Sequence, residues 1–194
     1  MRTEIRFAGV GGQGNILAGE WVALAAHNMG MHAVQSPTYT AQVRGGPTSV
    51  DILIDKKEVV FPRLTEIDFF LCLAQNAWDV FAKQLKADAI IVMDPNQIQH
   101  ITPGSQKIHR VPIIQITKQT VGKMVYTSAV SLGIFCRLLP VIPKDVMIHT
   151  IESNAPSGTV ENNINAFNAG WKAVDGIQPE SRNELAKALA AVAH

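Results

Sequence analysis

Cysteine is scarce in this sequence, which has only Cys72 and Cys136 and no Cys-x-x-Cys pair. Both cysteines lie in apolar runs, a pattern that predicts buried free thiols and fits a reducing compartment. Without closely spaced cysteines, the chain is expected to hold no iron–sulfur cluster and no zinc of its own. The histidines and acidic residues also lack metal-ligand spacing, so we expect no metal site in this chain.

Excess charge and long apolar runs are missing as well. With 17 basic and 16 acidic residues the formal net charge is +1, so no general attraction to nucleic acid or to an anionic membrane is expected. No apolar stretch reaches membrane-spanning length, and the first residues lead into a strand pattern rather than an apolar leader. We therefore expect a cytoplasmic protein with neither nucleic acid nor membrane as a partner.

The sequence also shows no complete active site of its own. The sequence has no Gly-x-Ser-x-Gly elbow, neither cysteine has activating polar neighbours, and no pair of carboxylates stands in a glycine-rich loop. Asp51, Asp68 and Asp94 are each explained by a place on a strand face or in a turn. The chain is therefore expected to contribute no catalytic residue and to be part of a larger enzyme.

What the sequence does contain is a glycine-rich motif near its start. An apolar strand pattern, Ile5–Val10, leads into four glycines within positions 9–14, and a helical pattern follows. Strand, glycine turn and helix form the geometry that presents unpaired helix N–H groups to a phosphate or carboxylate. The candidate binding residues are Gly11, Gly12, Gln13 and Gly14. The alternative is a tight turn that only packs the helix on the strand, because a lone glycine motif is a weak signal.

This motif is not a complete dinucleotide fingerprint. Its glycine spacing fits Gly-x-Gly-x-x-Gly, but the acidic residue expected about 20 positions later is missing, because segment 31–36 contains neither Asp nor Glu. The Walker A pattern also fails, since no Gly-Lys-Ser or Gly-Lys-Thr follows. The turn is thus predicted to bind a charged group without a carboxylate that recognises ribose.

A second candidate is the segment 36–47, which is bounded by prolines and broken by a Gly-Gly pair. Loops of this length are commonly functional. Its candidate binding residues are Tyr39, Arg44, Gly45 and Gly46. Arg44 offers a planar pair of donors for a carboxylate or phosphate, and the alternative is a surface arginine in a mobile loop.

Strand and helix patterns alternate through most of the chain, which predicts a three-layer α/β/α, Rossmann-like domain. A strand at 48–54 with a returning strand at 59–62 predicts a hairpin and hence a mixed sheet. Other predicted elements include a helix at 77–86 and a strand at 111–116. We expect residues 1–175 to form the domain, and residues 176–194 to form a linker and a C-terminal helix.

Three motifs, in this order, resemble those of the gamma subunit of 2-oxoacid:ferredoxin (acceptor) oxidoreductases. They are the opening Glu4–Gly14, the loop Tyr39–Gly46 with its Arg-Gly-Gly ending, and the segment Asn162–Trp171. The resemblance covers the chain from about Thr3 to Val174. It is closest to the gamma subunit of the 2-oxoglutarate enzyme, although the motifs do not determine the acid.

The resemblance implies a multi-subunit enzyme that decarboxylates a 2-oxoacid on thiamine diphosphate and passes the acyl group to coenzyme A, as in the tricarboxylic acid cycle. Thiamine diphosphate, Mg²⁺ and iron–sulfur clusters are then expected on alpha, beta and possibly delta subunits, with a ferredoxin or flavodoxin-type electron acceptor. The missing cysteine motifs agree with that division.

For this chain, the resemblance implies a shared coenzyme A site, in which the glycine motif and the loop hold phosphates and Arg44 is the charged contact. Two alternatives remain. The chain is either a purely structural subunit that docks onto its partners, or a stand-alone nucleotide-binding module.

Overall fold

The protein is described by a computed structural model for residues 2–38, 45–60 and 63–192. Seven strands in these residues form a single sheet. The strands are β1 (Thr3–Val10), β2 (His32–Thr38), β3 (Pro47–Asp55), β4 (Ile67–Cys72), β5 (Leu85–Met93), β6 (Lys107–Arg110) and β7 (Glu180–Ser181).

Helices cover the two faces of this sheet. They are α1 (Asn15–Asn28), α2 (Gln75–Phe81), α3 (Ile113–Val121), α4 (Thr127–Leu138), α5 (Lys144–Asn154), α6 (Val160–Ala173) and α7 (Arg182–Val192), and a 3₁₀ turn (Met124–Tyr126) precedes α4. None of the helices in the described ranges is both long and apolar enough to cross a bilayer.

The sheet is mixed, as predicted. Its strand order is β2-β3-β1-β4-β5-β6-β7. The strands β1, β4, β5 and β6 run parallel to their neighbours in that series, β3 is antiparallel to both β1 and β2, and β7 is antiparallel to β6. The carboxyl ends of the four parallel strands therefore share one edge, which we call the C-terminal edge of the sheet.

Alternating side chains of the central strands divide the core into two layers. On one face, Phe7 and Phe69 pack edge to face against Phe135 of α4, with ring centroids 5.8 and 5.2 Å away. On the other face, Phe70 packs against Trp78 of α2 at 5.6 Å. The buried strands thus carry apolar side chains on both faces, which confirms the predicted three-layer α/β domain.

One charged pair interrupts the second layer. Asp51 of β3 lies opposite Arg6 of β1 and accepts two hydrogen bonds from its guanidinium, at 2.6 and 2.7 Å. Arg6 also donates to the carbonyl of Phe81 at 3.1 Å. Asp51 therefore neutralises a buried arginine, a role that the sequence pattern alone did not reveal.

Three predicted elements were wrong in type or extent. Residues 59 and 60 form no strand, and residues 61 and 62 lie outside the described residues; β3 pairs with β1 and β2 instead. The helix predicted at 77–86 ends at Phe81, because Gln84 has a φ of 60° and Leu85 already belongs to β5. The strand predicted at 111–116 is replaced by β6, which ends at Arg110, and by α3.

The C-terminal segment packs on the rest of the chain. Glu180 and Ser181, within the predicted linker and C-terminal helix, form the short strand β7 beside β6. In α7, the guanidinium of Arg182 donates to Thr102 and Gln106 at 2.7 to 2.8 Å and lies 5.3 Å from the centre of the Trp78 ring. This buried arginine fastens the final helix to the α2 face of the sheet.

Candidate functional site

The glycine turn, Gly11–Gly14, joins the carboxyl end of β1 to the first residue of α1. Gly12 and Gly14 have φ angles of 93° and 76°. Residues with a Cβ rarely adopt this left-handed conformation, so glycine is required at both positions. The strand, turn and helix predicted from the sequence are therefore present, at the C-terminal edge of the sheet.

Several backbone donors of this turn are unused. The N–H groups of Gly11, Gly12 and Gly14 have no acceptor in the described part of the chain, and the first bond of α1 runs from Ala18 N–H to the Gly14 carbonyl. Among the described residues no side chain caps α1, and the first turn of α1 contains no acidic residue. A methyl group added at Gly11 would meet no atom of the described residues within 4 Å. The turn thus carries unpaired donors at a helix N-terminus, with room beside Gly11 and Gly12, an arrangement that favours anions.

Gln13 differs from the three glycines because its polar groups bond within the chain. Its backbone N–H donates to the Val10 carbonyl at 3.2 Å, and its Oε1 accepts the Val10 N–H at 2.8 Å. Its Nε2 donates to the Leu73 carbonyl at 3.2 Å. The side chain therefore points into the turn, towards the end of β4.

The end of the second candidate segment lies beside the glycine turn. The antiparallel pairing of β1 with β3 sets Val10 opposite Pro47. Gly45 is exposed, Gly46 is buried, and Asn76 at the start of α2 donates from Nδ2 to the Gly45 carbonyl at 3.2 Å. The pairing of β1 with β3 thus brings Gly45 and Gly46 to the same edge as Gly11–Gly14.

Tyr39 and Arg44 lie outside the described residues. Their contact with a ligand stays a prediction. The described residues that flank positions 39–44 are Thr38 and Gly45, and both lie at the C-terminal edge.

A second helix also begins here, which the sequence did not indicate. A Cβ at Gly14 would lie 3.0 Å from Cβ of Ser128, in the first turn of α4. No side chain caps α4 either. Tyr126, which precedes α4, accepts a hydrogen bond on its hydroxyl from Asn162 Nδ2 at 3.2 Å, and Asn162 belongs to the third motif. Only long-range packing brings these segments together, so no local pattern could have identified them.

The ionisable groups near the C-terminal edge stabilise the fold. Asp94, which follows β5, is buried and accepts the N–H groups of Ile114 and Asn96, each at 2.9 Å. Burial raises the pKa of Asp94, and it raises the pKa of the Cys72 thiol to about 12, so this thiol is a poor nucleophile. Within residues 2–38, 45–60 and 63–192, no cluster of three or more His, Cys, Asp or Glu could hold a metal ion.

Comparison with known proteins identifies the family. Residues 4–173 match the family of pyruvate ferredoxin/flavodoxin oxidoreductases. The chain belongs to this family. It is 30% identical over 175 residues to the 2-oxoglutarate synthase subunit KorC of Methanocaldococcus jannaschii, covering 89% of this chain and 94% of that subunit. It is 27% identical over 180 residues to the pyruvate synthase subunit PorC of Methanothermobacter thermautotrophicus, covering 90% and 97%.

Solved structures agree. The gamma subunit of a keto/oxoacid ferredoxin oxidoreductase from Geobacter sulfurreducens superposes with a TM-score of 0.83 at 34% identity, covering 92% of this chain and 99% of that one. The 2-oxoglutarate:ferredoxin oxidoreductase of Magnetococcus marinus, with 2-oxoglutarate, coenzyme A and succinyl-CoA bound, shares the fold with a TM-score of 0.80 at 19% identity; the match covers 93% of this chain and 32% of that one. This chain is thus the gamma subunit of a 2-oxoacid:ferredoxin oxidoreductase.

Proposed function

We propose that this gamma subunit serves an enzyme that oxidises 2-oxoglutarate to an acyl-coenzyme A, and that its glycine turn holds phosphate groups of coenzyme A. The observation that carries the second part is the set of N–H groups at Gly11, Gly12 and Gly14 that have no acceptor among the described residues, with room beside Gly11 and Gly12. Alpha, beta and delta subunits would hold thiamine diphosphate, Mg²⁺ and the iron–sulfur clusters, which supply the decarboxylation and electron transfer.

The choice of 2-oxoglutarate rests on similarity to KorC, at 30% identity against 27% for PorC. Pyruvate is the competing substrate. The purified complex should reduce a ferredoxin or viologen acceptor faster with 2-oxoglutarate than with pyruvate when coenzyme A is saturating. A higher kcat/KM for pyruvate would refute this part of the proposal without affecting the phosphate site.

The physical case for a phosphate site comes from the unused donors. A hydrogen bond to a charged group contributes about 1.5–3 kcal/mol, and a helix N-terminus adds roughly 0.3–1 kcal/mol at an exposed site. Two or three amides of the glycine turn would therefore contribute a few kcal/mol, which is too little for tight binding by the isolated chain. We accordingly expect coenzyme A to bind fully only in the assembled complex, where Arg44 and partner residues add contacts.

The sheet order argues against a stand-alone dinucleotide site. In that fold the strand after the first helix lies next to the first strand and carries the acid that binds ribose. Here β3 lies between β1 and β2, and β2 contains no Asp or Glu. A ligand on the glycine turn would find no ribose-binding carboxylate on β2. Titration of the isolated chain with NAD and ATP should accordingly show no saturable binding.

Gly11→Ala tests the phosphate site directly. Gly11 does not have a left-handed φ, and its added methyl group meets nothing within 4 Å, so the fold should tolerate the change. A bound phosphate would collide with that methyl group. In the assembled complex we expect the KM for coenzyme A to rise about tenfold, equivalent to about 1.4 kcal/mol, with kcat at saturating coenzyme A nearly unchanged. Arg44→Ala should also raise this KM.

The matched control for function is the 2-oxoacid itself. The KM for 2-oxoglutarate should stay unchanged in Gly11→Ala and Arg44→Ala, since that acid is expected to bind on other chains. An unchanged KM for coenzyme A in both variants would overturn the phosphate site.

A structural role is the second candidate, and one observation favours it. Val125, just before α4 and near the glycine turn, exposes 60% of its surface. Burial of this side chain against a partner subunit would remove apolar surface from water, which favours docking. If docking rather than coenzyme A explains the motif, Gly11→Ala should lower the recovery of alpha and beta subunits with the gamma chain and leave the KM for coenzyme A unchanged in whatever complex forms.

A further inference from the structure

The side chain of Gln13 bridges the ends of two neighbouring parallel strands. Its Oε1 accepts the N–H of Val10, the last residue of β1, at 2.8 Å, and its Nε2 donates to the carbonyl of Leu73, directly after β4, at 3.2 Å. The Leu73 N–H in turn donates to the Ala8 carbonyl at 2.9 Å. Both backbone groups of Leu73 are thus tied to β1 or to the glycine turn.

Gly9 provides the space for this side chain. A Cβ at position 9 would lie 2.5 Å from Asn15 Nδ2 and closer still to Gln13 Oε1. Real Cβ atoms do not make such contacts, so any side chain at position 9 would displace the Gln13 amide. The φ of Gly9 is not left-handed, which means that glycine is required there for room rather than for backbone conformation.

The bridge takes the place of the next hydrogen bond between β1 and β4: Ala8 and Val10, two residues apart in one strand, direct their backbone groups to the same neighbour, and the Gln13 amide stands between the Val10 N–H and the Leu73 carbonyl. The Val10 carbonyl accepts the backbone N–H of Gln13 at 3.2 Å. Both backbone polar groups of Val10 are therefore bonded to Gln13. As a result, the path of the chain between Val10 and Gln13 is fixed at both ends, and Gly11 and Gly12 form the exposed part of the turn.

We propose that Gln13 is a positioning residue, whose side chain fixes the glycine turn so that the N–H groups of Gly11, Gly12 and Gly14 face the ligand, without itself contacting that ligand. This inference rests on the proposed coenzyme A site. It assigns the side chain at position 13 to the interior of the turn, and it explains why glycine occupies position 9.

Gln13→Met is the decisive variant, because methionine has a similar length but neither donates nor accepts these hydrogen bonds. Amide hydrogen exchange of the full-length gamma chain should show at least tenfold faster exchange at Val10 N–H. In the assembled complex, the KM for coenzyme A should rise about fivefold or more while the KM for 2-oxoglutarate stays unchanged. Gln13→Glu, which keeps an acceptor for Val10 N–H but no donor for Leu73, should retain slow exchange at Val10.

Gln106→Met is the matched control. The Gln106 side chain also donates to backbone carbonyls, those of Leu85 and Lys86 at 3.4 and 3.0 Å, and it accepts from Arg182 at 2.8 Å. This variant should lose stability by a similar mechanism without changing the KM for coenzyme A. An effect on that KM equal to the effect of Gln13→Met would mean that general destabilisation, not positioning, is responsible, and would refute the proposal.

Two other results would also refute it. If Gln13→Met raises the KM for coenzyme A but leaves Val10 exchange unchanged, Gln13 contacts the ligand directly. If Val10 exchange accelerates while the KM stays at the wild-type value, the bridge is structural only. Gly11→Ala tests the coenzyme A site independently of Gln13. If the KM for coenzyme A rises in Gly11→Ala, the site stands even when the proposal for Gln13 is refuted.

Discussion

Replacing Gly170 with alanine would place a methyl group in the backbone of a neighbouring helix. A Cβ at Gly170 of α6 would lie 2.8 Å from the carbonyl carbon of Val130 in α4, and closer still to its oxygen. The contact is reciprocal, since a Cβ at Gly133 of α4 would lie 2.7 Å from the backbone nitrogen of Trp171. The two glycines therefore allow α4 and α6 to touch backbone to backbone.

The cost follows from the distance that the helices must move. Optimal carbon–carbon separation is about 3.5 Å or more, so a methyl group at 2.8 Å from Val130 requires a shift of at least about 0.7 Å. Overpacking typically costs about 1–3 kcal/mol and occasionally more, and a helical carbonyl cannot rotate away as a side chain can. We assign about 3–4 kcal/mol to Gly170→Ala, reduced by about 1 kcal/mol for the better helix propensity of alanine.

The net loss of about 2–3 kcal/mol should lower Tm by roughly 4–12 °C for a chain of this size. Thermal and urea unfolding followed by circular dichroism would measure it. Gly19→Ala is the matched control: it has the same gain in helix propensity, but its methyl group meets a side-chain atom, Cγ2 of Val50, at 2.7 Å. It should cost less, because a side chain yields more easily. A Tm for Gly170→Ala within 1 °C of wild type would refute this account of the helix packing.

Three further changes have definite expected outcomes. Asp51→Ala leaves the buried Arg6 guanidinium unpaired and should cost about 3–5 kcal/mol of unfolding free energy in urea titrations. Burial lowers the pKa of His109, so the unfolded chain binds this proton more readily; stability should fall as pH decreases from about 7 through the ordinary histidine pKa near 6.5, and His109→Gln should flatten that part of the Tm profile. Arg182→Ala removes the bonds to Thr102 and Gln106 and should speed amide exchange throughout α7.

Each of these outcomes has a contrary result. If Asp51→Ala is as stable as wild type, the Arg6 guanidinium is hydrated once its partner is removed. If stability is lost, the double variant Arg6→Met/Asp51→Leu should recover most of the lost unfolding free energy. A Tm profile for His109→Gln as steep as that of wild type would remove His109 as the cause of acid destabilisation. Unchanged exchange in α7 after Arg182→Ala would show that Leu185 and Ala186, also buried, hold the helix without it.

The positions of the main strands were predictable because their patterns are local. The apolar run 5–10 identified most of β1, the pattern 48–54 identified most of β3, and glycines with left-handed φ follow β1. The failure at 111–116 has a physical cause. The Asp94 carboxylate accepts the N–H of Ile114 and so caps α3 from a residue distant in sequence, which favours helix over strand.

The predicted site shows the same difference between features set by local sequence and features set by distant contacts. Gly12 and Gly14 were identifiable because glycine is the residue that tolerates their backbone angles. The inward direction of the Gln13 side chain and the approach of Ser128 to Gly14 were not identifiable, since both depend on contacts with segments distant in sequence.

The sequence by itself determined a glycine turn between a buried strand and a helix, the absence of closely spaced cysteines, and the three motifs of the family. These features depend on residue type and short spacing. Only the tertiary structure decided that β3 inserts between β1 and β2, that Gly45 lies at the same edge of the sheet as the glycine turn, and that α4 begins beside Gly14. Strand order and helix docking arise from the joint burial of many distant side chains, and no short stretch of sequence contains that information.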